Sequence, residues 1–283
     1  MIKLNKSGNK LYLLLFFLVM PFISYGQMIP TYSIDSITIK KLLPQIDSTT
    51  LVLVNIDNTI ITPQSKMFRY NNNPYIAFVD NLSNLAKSNY AINGIIASLM
   101  VQRQMMLVEP NWSDFINKMK SQGAMVFGFT EVTPPCKLIN NFEGWKYSQL
   151  RAFNINFTDK VNDKEMFRFD DHDADAPVFY EGILFTGTAS KVQTLIKFLK
   201  IIPSAPLKIV IFENNKTELK KIDSFLRMVD VEYYGIEYLG WQMIIGYPDE
   251  PTAKLQQDTL LKTGKWLEDA EAENFLKSQQ KNE

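Results

Sequence analysis

Apolar positions along this chain fall into two kinds of run. The first is short, continuous and rich in β-formers: Leu51–Val54, Ala124–Phe129 and Leu207–Phe212, with Val231–Tyr238 as a fourth strand. Such runs lack polar alternation and suit strands buried on both faces, as in a parallel sheet under helices. The second kind has helical spacing. Ala189–Lys200 places Val192, Leu195, Ile196 and Leu199 on one face,, and Ile76–Lys87 does the same with Phe78, Leu82 and Leu85. Trp112–Gln122 reads as a helix with Asn111 or Ser113 as N-cap and Gly123 as its stop,. The Met-rich Ile95–Val108 is predicted as a core or cap helix,. Further helices are expected at Ile37–Leu43 before Pro44, Trp145–Phe153, Lys216–Met228 and Gln256–Gln279 with a break at Gly264. One strand is expected over Val178–Phe185, with strand-like pieces at Asn154–Phe157 and Met166–Phe169.

Strands alternating with helices predict βαβ units and an α/β fold with a mostly parallel sheet. Right-handed crossovers would bring the carboxyl ends of 51–54, 124–129 and 207–212 to one edge. Ligands bind at that edge in open α/β sheets. The three tips carry Asn55, Asp57 and Thr59; Thr130 and Glu131; and Glu213, Asn214 and Asn215. Their convergence is the main functional expectation. The plainer reading is an Asn/Asp turn after each strand.

Composition narrows this picture. At 283 residues, 46% of them hydrophobic, the chain can bury one large core with an inserted cap,. Lys+Arg and Asp+Glu are 30 each, a balance that points to neither nucleic acid nor an anionic membrane surface as partner,. At the start, Lys3, Lys6 and Lys10 precede the apolar run Leu11–Ile23, and Ser24-Tyr25-Gly26 precedes Gln27. The run is short for a bilayer span, so residues 1–26 read as a cleavable signal peptide; an uncleaved anchor is the alternative. The expected location is periplasmic or secreted, with no stable membrane insertion after cleavage, and residues 27–283 form the mature domain. Cys136 is the single cysteine, so neither a lipoprotein anchor nor an intramolecular disulfide is expected,. Asp171, Asp173 and Asp175 alternate like the opening of a calcium loop, with His172, the sole His, among them. Ala176 replaces the expected Gly and the closing Glu is missing, which leaves a solvated turn. The chain has no P-loop, GxGxxG or zinc spacing, and its lone His argues against triad chemistry.

Four motifs then stand in order: LVLV before Asn55-Ile56-Asp57-Asn58-Thr59, Thr130 ending the next strand, Lys191 after Gly187-Thr188, and KIVIFE before Asn214-Asn215. In this the chain resembles the haloacid dehalogenase (HAD) superfamily. It is similar, more narrowly, to an uncharacterised exported bacterial HAD-like family, a domain-of-unknown-function group. That likeness rests on IDNT, Gly182–Thr186 (GILFT), Tyr233–Gly240 (YYGIEYLG) and Leu260–Ala272 (LLKTGKWLEDAEA). The resemblance implies a Rossmann-like sheet with a helical cap segment at about 64–108 and a small α+β insertion at about 134–176.

The resemblance also implies roles. Asp57 falls at the acid/base position, and Thr130 and Lys191 at positions that hold phosphoryl oxygens. Asn55 falls at the nucleophile position, where an amide has no anionic oxygen to attack phosphorus. Asn55, Asp57 and Asn214 fall at the Mg²⁺ site, with Glu213 supplying a carboxylate if the register slips by one and Glu131 nearby. Mg²⁺ favours anionic oxygens, so binding at this degenerate site is expected to be weak or absent. The expected function is that of an exported phosphatase-fold pseudoenzyme that binds a phosphorylated small molecule or a protein. The alternative is an active acid-phosphatase-like hydrolase using Asp57 as general acid/base with an atypical metal site.

Overall fold

A computed structural model describes residues 27–86, 89–229 and 231–280; the expected signal peptide and Lys87 lie outside the described residues. The strands in chain order are β1 Gln27–Thr31, β2 Thr50–Val54, β3 Ile61–Pro63, β4 Met105–Leu107, β5 Met125–Thr130, β6 Met166–Arg168, β7 Val178–Tyr180, β8 Ile183–Phe185, β9 Lys208–Glu213 and β10 Glu232–Tyr238. Eight of them form one sheet, ordered β1-β10-β9-β2-β5-β8-β7-β6, while β3 and β4 pair separately. From β1 to β8 all neighbours are parallel, and β7 and β6 continue antiparallel. The α/β fold with a mostly parallel, Rossmann-like sheet is therefore present, and β2 lies in its middle.

The apolar runs explain why. Along β2, Val52 and Val54 enter one core and Leu51 and Leu53 the other. Both faces are covered, so every residue of the strand is apolar or buried. On the first face lie α1 (Ile37–Leu42), α4 (Trp112–Ser121) and α5 (Phe142–Arg151), with Trp112 set edge-on against Phe212 and Tyr238. On the second lie α6 (Lys191–Leu199) and α7 (Lys216–Leu226), contributing Leu195, Phe198, Leu219 and Ile222. Each such fully buried side chain contributes about 1.5–3 kcal/mol. A third cluster joins Met67, Leu82, Leu99, Ala253, Leu260 and Trp266. It packs α2 (Ile76–Ala86) and α3 (Tyr90–Gln102) with α8 (Glu250–Thr263); α9 (Asp269–Gln280) follows. Asp269 ties that tail down by accepting from Ser65 Oγ (2.7 Å), the Lys66 amide (2.9 Å) and Gln256 Nε2 (3.0 Å). Among the described residues no helix is long and apolar enough to cross a membrane.

Local differences from expectation have local causes. Val178–Phe185 is two strands rather than one: Glu181 (φ 47°) and Gly182 (φ 86°) both take positive φ, the geometry of a two-residue hairpin turn,. Ile95–Val108 is not one helix. The helix stops at Gln102, and Met105–Leu107 pairs with Ile61–Pro63, a tertiary pairing that overrides the helical preference of the Met-rich run,. Asn154–Phe157 forms no strand. The lead-in at Gln27–Thr31 is an edge strand, where Pro30 costs no interior ladder bond,.

Candidate functional site

The site begins where β2 ends. The Asn55 amide donates to the Phe212 carbonyl (2.8 Å), the last rung toward β9. The chain then turns tightly: Asn58 takes φ 57°, its N–H donates to the Ile61 carbonyl (2.7 Å), and Ile60 N–H donates to Ile56 (2.9 Å). Asn tolerates this left-handed backbone, and its side chain is fixed by the Thr62 hydroxyl (2.9 Å). The turn lets Asn55 point inward and Asp57 border solvent. A cavity of about 260 Å³ opens there, lined among others by Asn55, Asp57, Thr130, Lys191, Glu213 and Asn214. Of the residues singled out at the strand tips all but Thr59 border this one space; Thr59 is buried behind Asn55, whose Nδ2 faces its hydroxyl.

Inside it runs a buried polar network. Lys191 opens α6, whose N-terminus is closed by a Ser190/Gln193 capping box,. The preceding loop comes in close because Gly187 takes φ 58°; a Cβ there would run into the Asp175 carbonyl oxygen. Lys191 Nζ donates to Asn55 Oδ1 (3.0 Å) and to the Glu213 carboxylate, all three residues being buried. Asn55 Nδ2 faces the Asn214 Oδ1 (2.7 Å), the Asp57 carbonyl (2.9 Å) and the Thr59 hydroxyl (3.2 Å). A lysine only donates, so the amide oxygen must face Lys191 and the amide nitrogen must face the acceptors. Glu213 also accepts from the Asn215 amide (3.0 Å). Asn215 lines the cavity beside Asn214 and also caps α7, its side chain accepting from Thr217 N–H (2.9 Å).

Asp57 has a partner that pattern reading missed. Lys146, on α5, has no exposed side-chain surface and donates to both Asp57 oxygens (2.9 and 3.2 Å). Burial acts to raise the Asp57 carboxyl, but Lys146, and then Arg103 and Lys191, outweigh it and hold the group below its ordinary 3.8,. A fully buried lysine carries no signature in sequence; only its place in the fold marks it. Arg103, just beyond α3, is lowered by burial and supported by Asp57. Glu131 is exposed at the rim, yet partial burial, with Lys191 opposing and Glu218 and Glu213 assisting, leaves its carboxyl raised. Cys136 lines the cavity too, but burial pushes its thiol up, which suppresses the nucleophilic thiolate,.

The acidic loop at 170–175 stands apart. Its carboxylates close local turns, Asp170 accepting from His172 N–H (3.0 Å) and Asp173 from Asp175 N–H (2.9 Å), while Asp175 pairs with Lys137 (2.7 Å). Among the described residues no group of three or more His, Cys, Asp or Glu is placed to hold a metal ion.

Fold and site together define an open α/β protein with a polar, ligand-sized cavity at the carboxyl ends of its central strands. Residues 34–273 match the family described as "Protein of unknown function (DUF2608)", and the chain belongs to that family. It is 60% identical over 271 residues to "Uncharacterized protein RP296" of Rickettsia prowazekii (strain Madrid E), covering 96% of this chain and 99% of the relative. An "Uncharacterized protein" of Rickettsia felis (strain ATCC VR-1525 / URRWXCal2) is 27% identical over 157 residues, 53% of each chain. No solved structure matches.

Proposed function

We propose that this is an exported HAD-like protein that binds a phosphorylated small molecule at its strand tips without phosphoryl transfer to residue 55. The supporting observation is the commitment of Asn55: its amide nitrogen is spent on Asn214, Asp57 and Thr59, and its oxygen on Lys191. Such a group has neither charge nor a free oxygen to attack phosphorus. Thr130 and Lys191 remain at the cavity to meet phosphoryl oxygens.

The donor set does not fit the Mg²⁺ that the resemblance implies. Asn214 Oδ1 and Asn55 Oδ1 already accept N–H donors, Glu213 is paired with Lys191, and Asp57 with Lys146. Two ammoniums stand where a hard dication would require anionic oxygens. Binding in this reading is metal-independent.

A second reading, hydrolysis by direct attack of water, draws support from Asp57, which is ionised and partly exposed. A carboxylate held below its ordinary value is, however, a weak base. The test is thermal unfolding with inorganic phosphate and glycerol phosphate, each with and without Mg²⁺, beside turnover of p-nitrophenyl phosphate. The expected result is a ligand-dependent rise in Tm, about 2.7 kcal/mol of stabilisation at a hundredfold excess over Kd, lost in Lys191→Met and indifferent to metal. Metal-dependent turnover abolished by Asp57→Ala would overturn the binding reading. Export is tested by sequencing the N-terminus of secreted or periplasmic material, which should begin at Gln27.

A further inference from the structure

A separate cavity, of about 230 Å³, lies beside the acidic loop and shares only Cys136 with the lining of the strand-tip cavity. Its floor is apolar: Ile139, Phe142, Ala176, Val178 and Phe185 are all buried. Its lining also carries four charges, two of each sign: Lys137 and Arg168, Glu143 and Asp175. They are not equivalent. Lys137 and Asp175 neutralise each other (2.7 Å) and clamp the loop to the turn Pro134–Leu138. Arg168 holds the same loop through one nitrogen, Nη1, which donates to the Ala174 (2.6 Å) and Ala176 (3.3 Å) carbonyls. Among the described residues no carboxylate pairs with Arg168, and its other nitrogens donate to no protein group. The Glu143 side chain, in the first turn of α5, has neither a hydrogen bond nor an ion pair among the described residues.

Arg168 and Glu143 thus border one apolar-floored space as opposite charges that no protein group answers. A guanidinium with a free edge suits a carboxylate, which it meets through parallel N–H bonds. A carboxylate without a donor suits an ammonium. A ligand of a single sign answers one of the two and carries like charge toward the other, which costs binding. A neutral apolar ligand answers neither. An α-amino acid carries both groups on one carbon and leaves a side chain for the apolar floor, where its burial adds to affinity. The volume falls below the roughly 300–1,000 Å³ of sites for drug-sized ligands, which favours a small molecule. We propose that this cavity binds a free aliphatic amino acid, its carboxylate on Arg168, its ammonium on Glu143 and its side chain against Val178 and Phe185. The assignment is independent of what the strand-tip cavity binds.

Binding of L-valine, L-leucine, L-methionine and glycine is measured by calorimetry on the whole protein. The tightest of the first three is then compared with its amide, which lacks the carboxylate, and its N-acetyl derivative, which lacks the ammonium. Each derivative, and glycine, is expected to bind at least tenfold more weakly than the parent amino acid. Arg168→Gln should bring the parent down to the affinity of its amide, and Glu143→Gln to that of its N-acetyl derivative. Arg168 also holds the loop, so thermal unfolding without ligand checks that its variant folds; Glu143→Gln breaks no hydrogen bond among the described residues and serves as the second variant. Either derivative binding as tightly as the parent would overturn the proposal, as would glycine doing so, since the apolar floor would then play no part. Parent affinity unchanged in Glu143→Gln would put the ligand elsewhere and overturn it too. So would the absence of binding by all of the amino acids to folded protein at millimolar concentration.

Discussion

Lys146 sets its ammonium 2.9 and 3.2 Å from the two oxygens of Asp57, and the exposures of the two partners are opposite: 0% for the lysine side chain and 40% for the carboxylate. The pair is therefore asymmetric toward mutation. Asp57→Asn leaves a fully buried ammonium without a counter-charge and is expected to cost about 3 kcal/mol. Lys146→Met leaves a carboxylate that water reaches, and is expected to cost about 1 kcal/mol. Urea unfolding of the two variants, with m unchanged, checks the order.

The same pair sets an acid limb. Asp57 is depressed below its ordinary 3.8 in the folded state. Its contribution is therefore complete above the unfolded value and disappears as pH falls through the lower folded value. The stability gap between wild type and Asp57→Asn should stay flat from neutral pH into the weakly acidic range and close only below 3.8. A gap that closed near neutrality would show that Asp57 is not held ionised by Lys146.

Lys191 and Glu213 are both buried, 3% and 2% exposed. Removing either partner alone should cost about 3–5 kcal/mol, because the other charge is stranded. The double variant Lys191→Met/Glu213→Gln should recover much of that. A double-mutant cycle is expected to give a coupling of at least about 2 kcal/mol; additive losses would mean that the two side chains do not share their charge.

Restoring acid to the tip should be harmful until both sites change. Asn55→Asp alone turns an oxygen toward the Asn214 oxygen and the Asp57 carbonyl, where a donor now stands. A loss of about 1–3 kcal/mol is expected from the unsatisfied acceptors. Asn55→Asp with Asn214→Asp should be less stable still in chelator, and should regain stability on Mg²⁺ addition, since the new carboxylates give a hard cation anionic ligands. Thermal unfolding with and without Mg²⁺ reads both effects.

Much of this was legible in the chain itself. Continuous apolar runs located β2, β5, β9 and β10 within a residue or so, because strands buried on both faces leave no room for polar positions,. The polar tips followed from the topology. What stayed hidden depends on partners distant in sequence. Met105–Leu107 became a strand only because Ile61–Pro63 lies beside it. Gln27–Thr31 did so only because β10 offers an edge. Lys146 looked like any lysine on a helix face, and nothing local announces that its ammonium is the counter-ion of Asp57. Asn214 and Asn215 looked equivalent, and both border the cavity, yet Asn214 joins the buried network through Asn55 while Asn215 caps the start of α7.

The pairing of β1 with β10 has a consequence for how the chain is made. The first described strand finds its only neighbour in the last strand of the sheet, so that edge cannot close until Glu232–Tyr238 has been synthesised. Contacts of such long sequence separation form late and slow the final step. The order of strands thus makes completion of the sheet at β1 wait on the last strand in the sequence, and ties the two ends of the sheet's sequence to each other.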